Sequence, residues 1–329
     1  MKNKVRMALL LAALAGLALP VSEAAAAPSK KKQTVKAVKT TKAAKPVTVK
    51  KSAVTKAKRV AVKPRAVSYD DVQDADNLLL RSQAVLVQDQ SSGEVLFEKN
   101  SDAVVAIASI TKLMTAIVVL DAQLSLTESL SIDEADVDTL RHTRSRLRVG
   151  LELSREDLLR LALMSSENRA ASALSRHYPG GEAAFIAAMN RKAQELGLRD
   201  THFNDATGLD AGNVSSARDL VKLVSAASGY ALIREMTTTP EYTVEIAGRP
   251  SIFRNTNALV KSPDWDIGVS KTGYIHESGK CLVMQAWLAN KPMVIVLLDS
   301  WGKLTRIGDA NRIKKWIENA AMQQRQVSG

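Results

Sequence analysis

Ser109 and Lys112 stand three residues apart in Ala108-Ser109-Ile110-Thr111-Lys112-Leu113-Met114, at the head of an apolar run. Residues at that spacing share one face of a helix, so the hydroxyl and the amine would meet. An amine whose charge is disfavoured by burial or by other cations can take the hydroxyl proton, which makes the pair a candidate nucleophile and base. The spacing alone does not single the pair out, because Ser29 with Lys32 and Ser300 with Lys303 repeat it. Two further stretches are unique in the chain: Ser165-Ser166-Glu167-Asn168, with its one S-x-N, and Lys271-Thr272-Gly273, its one K-T-G. Taken singly, a Ser near an Asn is ordinarily a helix terminus, and a Lys-Thr pair a solvated strand edge.

The elements that must position these groups follow from periodicity. Ala84–Asp89 and Glu94–Phe97 flank a turn containing Gly93 and read as a hairpin. From Ser109 to Asp121 the apolar residues are nearly continuous, as in a helix buried on most sides, and a nucleophile at its start would gain from the exposed N–H groups there. Ser154 with Asp157 resembles a capping box that opens a helix through Met164, and further helices are expected at about 167–177, 181–196, 216–228 and 230–236. Beyond Pro240, Tyr242–Ala247, Ile267–Thr272, Cys281–Leu288 and Met293–Leu298 read as strands, and Arg306–Met322 as an amphipathic helix. Strands at both ends of a helical middle imply a sheet joined from distant parts of the chain, with a pocket between sheet and helical insert.

Composition bounds the class. A chain of 329 residues, 46% of them hydrophobic, is long enough for a substantial core. Lys2, Lys4 and Arg6, the apolar run Met7–Leu19 and the small residues Ala24–Ala27 have the layout of a secretory signal peptide. The run is shorter than the ~20 residues that span a bilayer as a helix, so residues 1–26 are expected to be removed. The net charge of +12 is concentrated in Pro28–Ala66, which has fourteen Lys or Arg and neither Asp nor Glu. Residues 27–66, without aromatics, are expected to be a disordered basic linker, either a plain tether or a segment attracted weakly to envelope polyanions. Nucleic acid is not expected as a partner, since no aromatics interleave these charges and export would remove the chain from it. Cys281 is the only cysteine, which rules out an intramolecular disulfide and a lipid-attachment cysteine at the cleavage site. His142, His177, His202 and His276 lack metal-ligand spacing, so neither a metal nor any other cofactor is expected.

In the order S-x-x-K, S-x-N, K-T-G, the three stretches together resemble the serine penicillin-recognising enzymes. Only Ser109 precedes both later motifs and opens a buried helix. Longer stretches, Met164–Ala170, Phe203-Asn204-Asp205-Ala206-Thr207-Gly208-Leu209, Lys271–Tyr274 and Gly279–Ala286, resemble the D-alanyl-D-alanine endopeptidases of the penicillin-binding protein 7 type. The resemblance implies an α/β (α+β) fold of the DD-peptidase and β-lactamase kind, with an antiparallel sheet flanked by helices and a mostly helical inserted subdomain, over residues 67–329. It implies a periplasmic peptidoglycan hydrolase that cuts D-alanyl to meso-diaminopimelyl cross-links through an acyl-enzyme on Ser109 and that penicillin and other β-lactams acylate. Lys112 would be the base, lowered in pKa by Lys271 and partial burial, and Ser166 would pass a proton to the leaving amine. Asn168 would orient Lys112 and bind the substrate amide, Lys271 and Thr272 would hold a carboxylate, and Gly273 would let substrate lie close. The N–H groups of Ser109 and Tyr274 would hold the oxyanion.

A D-alanyl-D-alanine carboxypeptidase of the same fold is the main alternative. Such enzymes commonly add a C-terminal β domain, for which the 56 residues after Gly273 leave no room. A class A β-lactamase would need a Glu for deacylation, and Thr201–Asp205 supplies none. A non-catalytic wall-binding protein would have no need of a Ser-Lys pair. Arg141, Arg144, Arg146 and Arg148 crowd one loop and would either meet diaminopimelate carboxylates or simply be solvated. Glu167 is expected to point away from the groove as a structural residue, and Trp265, Trp287, Trp301 and Trp316 to pack in the core or on the sheet.

Overall fold

The computed structural model describes residues 78–327, so the expected signal peptide and basic linker lie outside the described residues. In chain order the elements are β1 (Ser82–Asp89), β2 (Val95–Lys99), β3 (Val105–Ala106), α1 (Lys112–Asp121), β4 (Ser129–Ser131), β5 (Glu152–Ser154), α2 (Arg155–Met164), α3 (Asn168–Arg176) and α4 (Gly181–Glu195). Then come β6 (Val214–Ser215), α5 (Ala217–Ser228), α6 (Ala231–Thr238), β7 (Glu241–Ile246), β8 (Arg249–Arg254), β9 (Asp266–Ile275), β10 (Gly279–Leu288), β11 (Lys291–Ser300) and α7 (Thr305–Val327).

The main sheet has the order β2-β1-β11-β10-β9, and every neighbouring pair is antiparallel. The first strands of the body thus lie beside the last, as the separation of strand-like runs predicts. Alternate side chains enter two cores. Ala84, Leu86, Val283, Val294 and Val296 join the core shared with the helical part, whereas Val85, Leu282, Met284 and Ile295 meet Ala310, Ile313 and Ile317 of α7. Burial on both faces explains why these strands read as nearly unbroken apolar runs rather than alternating ones. The start of β1 is pinned to α7 by the buried Asp309, which accepts hydrogen bonds from the Ser82 N–H (2.8 Å), the Ser82 hydroxyl (2.6 Å), the Arg81 N–H and Arg312. Asp309→Ala would leave these donors without an acceptor; a loss of about 3 kcal/mol in urea unfolding, with unchanged m, is expected.

Three expectations change. Ser109 lies in a 3-10 turn, Ala108–Thr111, ahead of α1 rather than inside it, because a left-handed residue, Ala108 (φ 48), kinks the entry. The expected strand Tyr242–Ala247 is found as β7, ending at Ile246, but among the described residues it pairs with β8 alone, in a separate two-stranded ribbon. Trp265 is buried as expected, whereas Trp301 is 72% exposed and Trp287 is 42% exposed.

Candidate active site

β9 ends the sheet, so among the described residues one of its edges carries backbone groups with no strand partner. The Ile107–Ser109 turn lies against β9 at Gly273, where a Cβ would come within 2.8 Å of the Ile107 carbonyl oxygen and 3.2 Å of the Ser109 nitrogen. The missing side chain of Gly273 therefore admits the chain's own nucleophile turn, which differs from the expected role of admitting substrate. Gly208 supports the same turn from another side. At φ +77, a Cβ there would stand 1.9 Å from the Ala108 carbonyl oxygen. Gly208→Ala is expected to displace Ser109 and to destabilise the fold by about 3 kcal/mol, read as lower penicillin labelling together with a lower Tm.

Lys112, the first residue of α1, is fully buried. Its ammonium donates to Ser109 Oγ (2.9 Å), Asn168 Oδ1 (2.7 Å) and the Thr207 carbonyl (2.6 Å). Burial pulls its pKa down to about 7, against the opposing attraction of Asp205 and Glu167. Burial is the main cause, and Lys271 adds to it in the expected sense, since repulsion between two neighbouring ammonium groups disfavours the charge on both. The pKa of Lys271 is driven well below the ordinary lysine value by its own burial, then by Lys112 and Arg306.

The second stretch joins α2 to α3. Ser166 sits there in the left-handed region (φ 62), a conformation that non-glycine residues seldom adopt without compensation. Its Oγ accepts from Lys271 Nζ at 3.0 Å, while Lys271 also donates to the Thr272 carbonyl at 2.9 Å. Asn168, at the N-terminus of α3, turns Oδ1 to Lys112 and Nδ2 to Thr143 Oγ1 (3.1 Å). Glu167 is the residue before α3 rather than inside it, and its carboxylate accepts not from the helix but from Ser145 Oγ at 2.6 Å, which anchors the Asp138–Leu147 loop. Burial raises its pKa.

On β9, Thr272 donates from Oγ1 to Thr256 Oγ1 (2.7 Å), and the exposed Tyr274 ring has Lys280 Nζ 3.9 Å from its centroid. Ser109, Lys112, Ser166, Asn168, Lys271, Thr272, Gly273 and Tyr274 are thus all brought to one edge of the sheet. Arg306 is one residue that the motifs did not reveal. It donates to the Gly273 and Cys281 carbonyls (3.1 and 3.2 Å), and its Nε is buried without a partner. Nothing local marks it, since it reads as one more polar position of a terminal helix. Arg146 is also placed, over the Phe253 ring and on the Ile252 carbonyl, near enough to Glu167 of the second motif to favour its charged form.

This arrangement offers a hydroxyl beside an amine that is half deprotonated near neutrality, a second hydroxyl beside a second lysine, and an unpaired strand edge. It suits nucleophilic acyl transfer on an extended peptide. The family described as D-alanyl-D-alanine carboxypeptidase, peptidase S11, matches residues 71–301. A D-alanyl-D-alanine endopeptidase of Pseudomonas aeruginosa is 49% identical over 242 residues, covering 73% of this chain and 78% of that protein. Another of that name from Escherichia coli is 46% identical over 248 residues, with the same two shares. The crystal structure of the Streptomyces K15 DD-transpeptidase superimposes with a TM-score of 0.66 at 30% identity, over 72% of this chain and 97% of that one. With its matching fold and sequence, this chain belongs to the S11 family of serine D-alanyl-D-alanine peptidases.

Proposed function

We propose that the chain is a periplasmic DD-endopeptidase that opens D-alanyl to meso-diaminopimelyl cross-links of peptidoglycan through an ester on Ser109. The observation that carries the reaction is the 2.9 Å contact between Ser109 Oγ and a buried Lys112 whose pKa is about 7. In this mechanism Ser109 Oγ bonds to the D-alanyl carbonyl carbon and its proton passes to Lys112 Nζ. The N–H groups of Ser109 and Tyr274 hold the oxyanion. As the C–N bond breaks, the leaving amine takes a proton from Lys112 by way of Ser166 Oγ. Water then attacks the ester and gives its proton to Lys112, which passes it to Ser109 Oγ as the acyl C–O bond breaks.

The carboxylate beside the scissile amide binds Thr272 Oγ1, with Lys271 and Arg306 behind it. Its negative charge favours the charged form of Lys271, which offsets the burial that otherwise lowers that pKa. β-Lactams meet the same groups and acylate Ser109. Deacylation of the penicilloyl ester is slow, because Thr201–Asp205 holds no Glu and its one carboxylate, Asp205, already accepts from the N–H groups of Thr207, Gly208, Leu209 and Asp210.

The endopeptidase reading rests on the names of the two most similar relatives described above. The family description favours a second reading, carboxypeptidase. Incubation with cross-linked tetrapeptide dimers and with uncross-linked pentapeptides, followed by mass spectrometry, separates them. Monomers appearing from dimers are expected; release of D-alanine alone would leave the carboxypeptidase. Ser109→Ala must take up no fluorescent penicillin, and labelling of that variant would overturn the role of Ser109.

Residues 1–26 direct export in this reading, and 27–66 tether the enzyme, with weak attraction to envelope polyanions. Among the described residues no helix is long and apolar enough to cross a membrane. Deleting 28–66 is expected to leave turnover of soluble dimers within about twofold while lowering sedimentation with wall sacculi at low salt.

A further inference from the structure

The far end of the groove is closed by an ion pair. Past Tyr274, β9 turns into β10 through His276, Glu277 and Ser278, and Ser278 Oγ accepts from the Ile275 N–H at 3.1 Å to hold the tip. Glu277 there meets Arg141 at 2.9 Å. Arg141 comes from the opposite wall, the loop in which Asp138 accepts from the N–H groups of Leu140, Arg141 and Thr143 and in which Thr143 contacts Asn168. The guanidinium is held in place independently of Glu277, since its Nε donates to the Leu209 carbonyl at 2.5 Å. The pair is partly open to solvent, with the Arg141 side chain 20% and the Glu277 side chain 47% exposed.

The chain direction of a substrate follows from the proposed mechanism. With the carboxylate at Thr272 and the attacked carbonyl at Tyr274, the residue before the D-alanyl group lies farther along, toward Glu277. From Tyr274 to Glu277 the chain can span at most about 10 Å, and less because β9 ends at Ile275 and Glu277 lies in the turn. One Cα step of about 3.8 Å followed by an unbranched side chain of four or five bonds spans that distance.

We infer that Arg141 and Glu277 form a subsite for a zwitterionic side-chain terminus, an ammonium and a carboxylate on one carbon, carried by the residue before the D-alanyl group. This deepens the proposed function and rests on it. The free end of meso-diaminopimelate in the donor stem has this chemistry. The ligand divides the protein pair: its carboxylate takes the Arg141 fork and its ammonium takes Glu277, so that no charge is left alone. A side chain bearing only an ammonium, such as lysine, would leave Arg141 without an anion, and an amidated diaminopimelate would do the same. A neutral pair of opposite charges thus selects a neutral pair of opposite charges, which a single cation or anion in the wall could not do.

The test is a cycle between protein and substrate. Cross-linked dimers whose donor residue is meso-diaminopimelate, its amide, its desamino analogue or lysine are given to the full chain, to Arg141→Gln and to Glu277→Gln. Each kcat/KM is divided by the penicillin acylation rate of the same protein, which removes general damage to the site. For the unchanged protein the diaminopimelate donor is expected to exceed the amide and the lysine donor by roughly tenfold, the worth of one charge-assisted hydrogen bond. In Arg141→Gln, acid and amide should be used about equally. Glu277→Gln should lower the ratio of diaminopimelate to a desamino analogue to about one. Effects that simply multiply, leaving every ratio as in the unchanged protein, overturn the subsite while Ser109-dependent cleavage persists. Cleavage that survives Ser109→Ala overturns the peptidase reading itself, and the subsite falls with it.

Discussion

Lys112→Met is expected to lower acylation by penicillin and by peptide about a thousandfold, the usual contribution of a positioned general base. The unchanged protein should show an acylation rate that rises with pH through about 7, because only the neutral amine can take the Ser109 proton and that is where Lys112 titrates. The variant should lose this limb. Stopped-flow acylation across pH 5–9 reads both effects, and a limb that survives in Lys112→Met would assign the titration to another group. The same burial affects stability. Free lysine titrates near ~10.4, so between about 7 and that value the unfolded chain binds a proton that the folded chain does not. Stability contributed by Lys112 is therefore lowest below pH 7 and recovers as pH rises toward the unfolded value. Relative to Lys112→Met, the unchanged protein should gain stability across this window, by up to a few kcal/mol, in paired thermal unfolding curves. The variant trades two orphaned acceptors, Asn168 Oδ1 and the Thr207 carbonyl, for a lysine that no longer has to be desolvated. Only the pH dependence separates these contributions.

Local pattern carried the sequence as far as the individual groups. The three motifs have a legible order because the chemistry needs a nucleophile and base, a second hydroxyl and an edge strand, each written into a few adjacent residues. The hairpin of β1 and β2, the strands β9 to β11 and the helix α7 were also legible, since a two-faced core leaves long apolar runs. What was not legible depends on folding at a distance. The main cause of the depressed pKa of Lys112 is how deeply α1 is buried, which no local pattern reports, whereas the repulsion that adds to it is suggested by two lysines near one serine. Arg306 reaches β9 only because α7 packs back across the sheet, and no residue around it reports that. The ribbon of β7 and β8 was half seen: Arg249-Pro250-Ser251-Ile252-Phe253-Arg254 has too few apolar positions to read as a strand, and its pairing with β7 alone makes it one. Trp301, expected in the core or on the sheet on the ordinary behaviour of tryptophan, stands exposed in the loop after β11.

The stretch Phe203–Leu209 contains no element of catalysis in the usual sense, yet its geometry decides whether Lys112 has a place to point. Asp205 is the centre of that geometry. One carboxylate oxygen accepts from the N–H groups of Thr207 and Gly208 and from Asn213 Nδ2; the other accepts from the Thr207 hydroxyl and the N–H groups of Leu209 and Asp210. The turn so formed is fastened to α1 and the residue before it, through Asn213 Nδ2 on Thr111 Oγ1, Lys112 Nζ on the Thr207 carbonyl and Thr115 Oγ1 on the Ala206 carbonyl. It also sets Gly208 against the Ala108 carbonyl and presents the Leu209 carbonyl to Arg141. Asp205→Ala removes every one of the carboxylate's contacts at once. A destabilisation on the order of 3 kcal/mol or more is expected, since several N–H donors lose a charged acceptor together. Acylation should fall by at least about a hundredfold even in the molecules that remain folded, because the Thr207 carbonyl no longer holds the Lys112 amine beside Ser109. Asp205→Asn distinguishes the two roles. It keeps two acceptor positions on one oxygen while removing the charge that opposes deprotonation of Lys112. That variant should retain more stability than Asp205→Ala, and its acylation limb should shift to lower pH. A limb left at about 7 in Asp205→Asn would mean that the carboxylate acts on Lys112 through the shape of the turn alone.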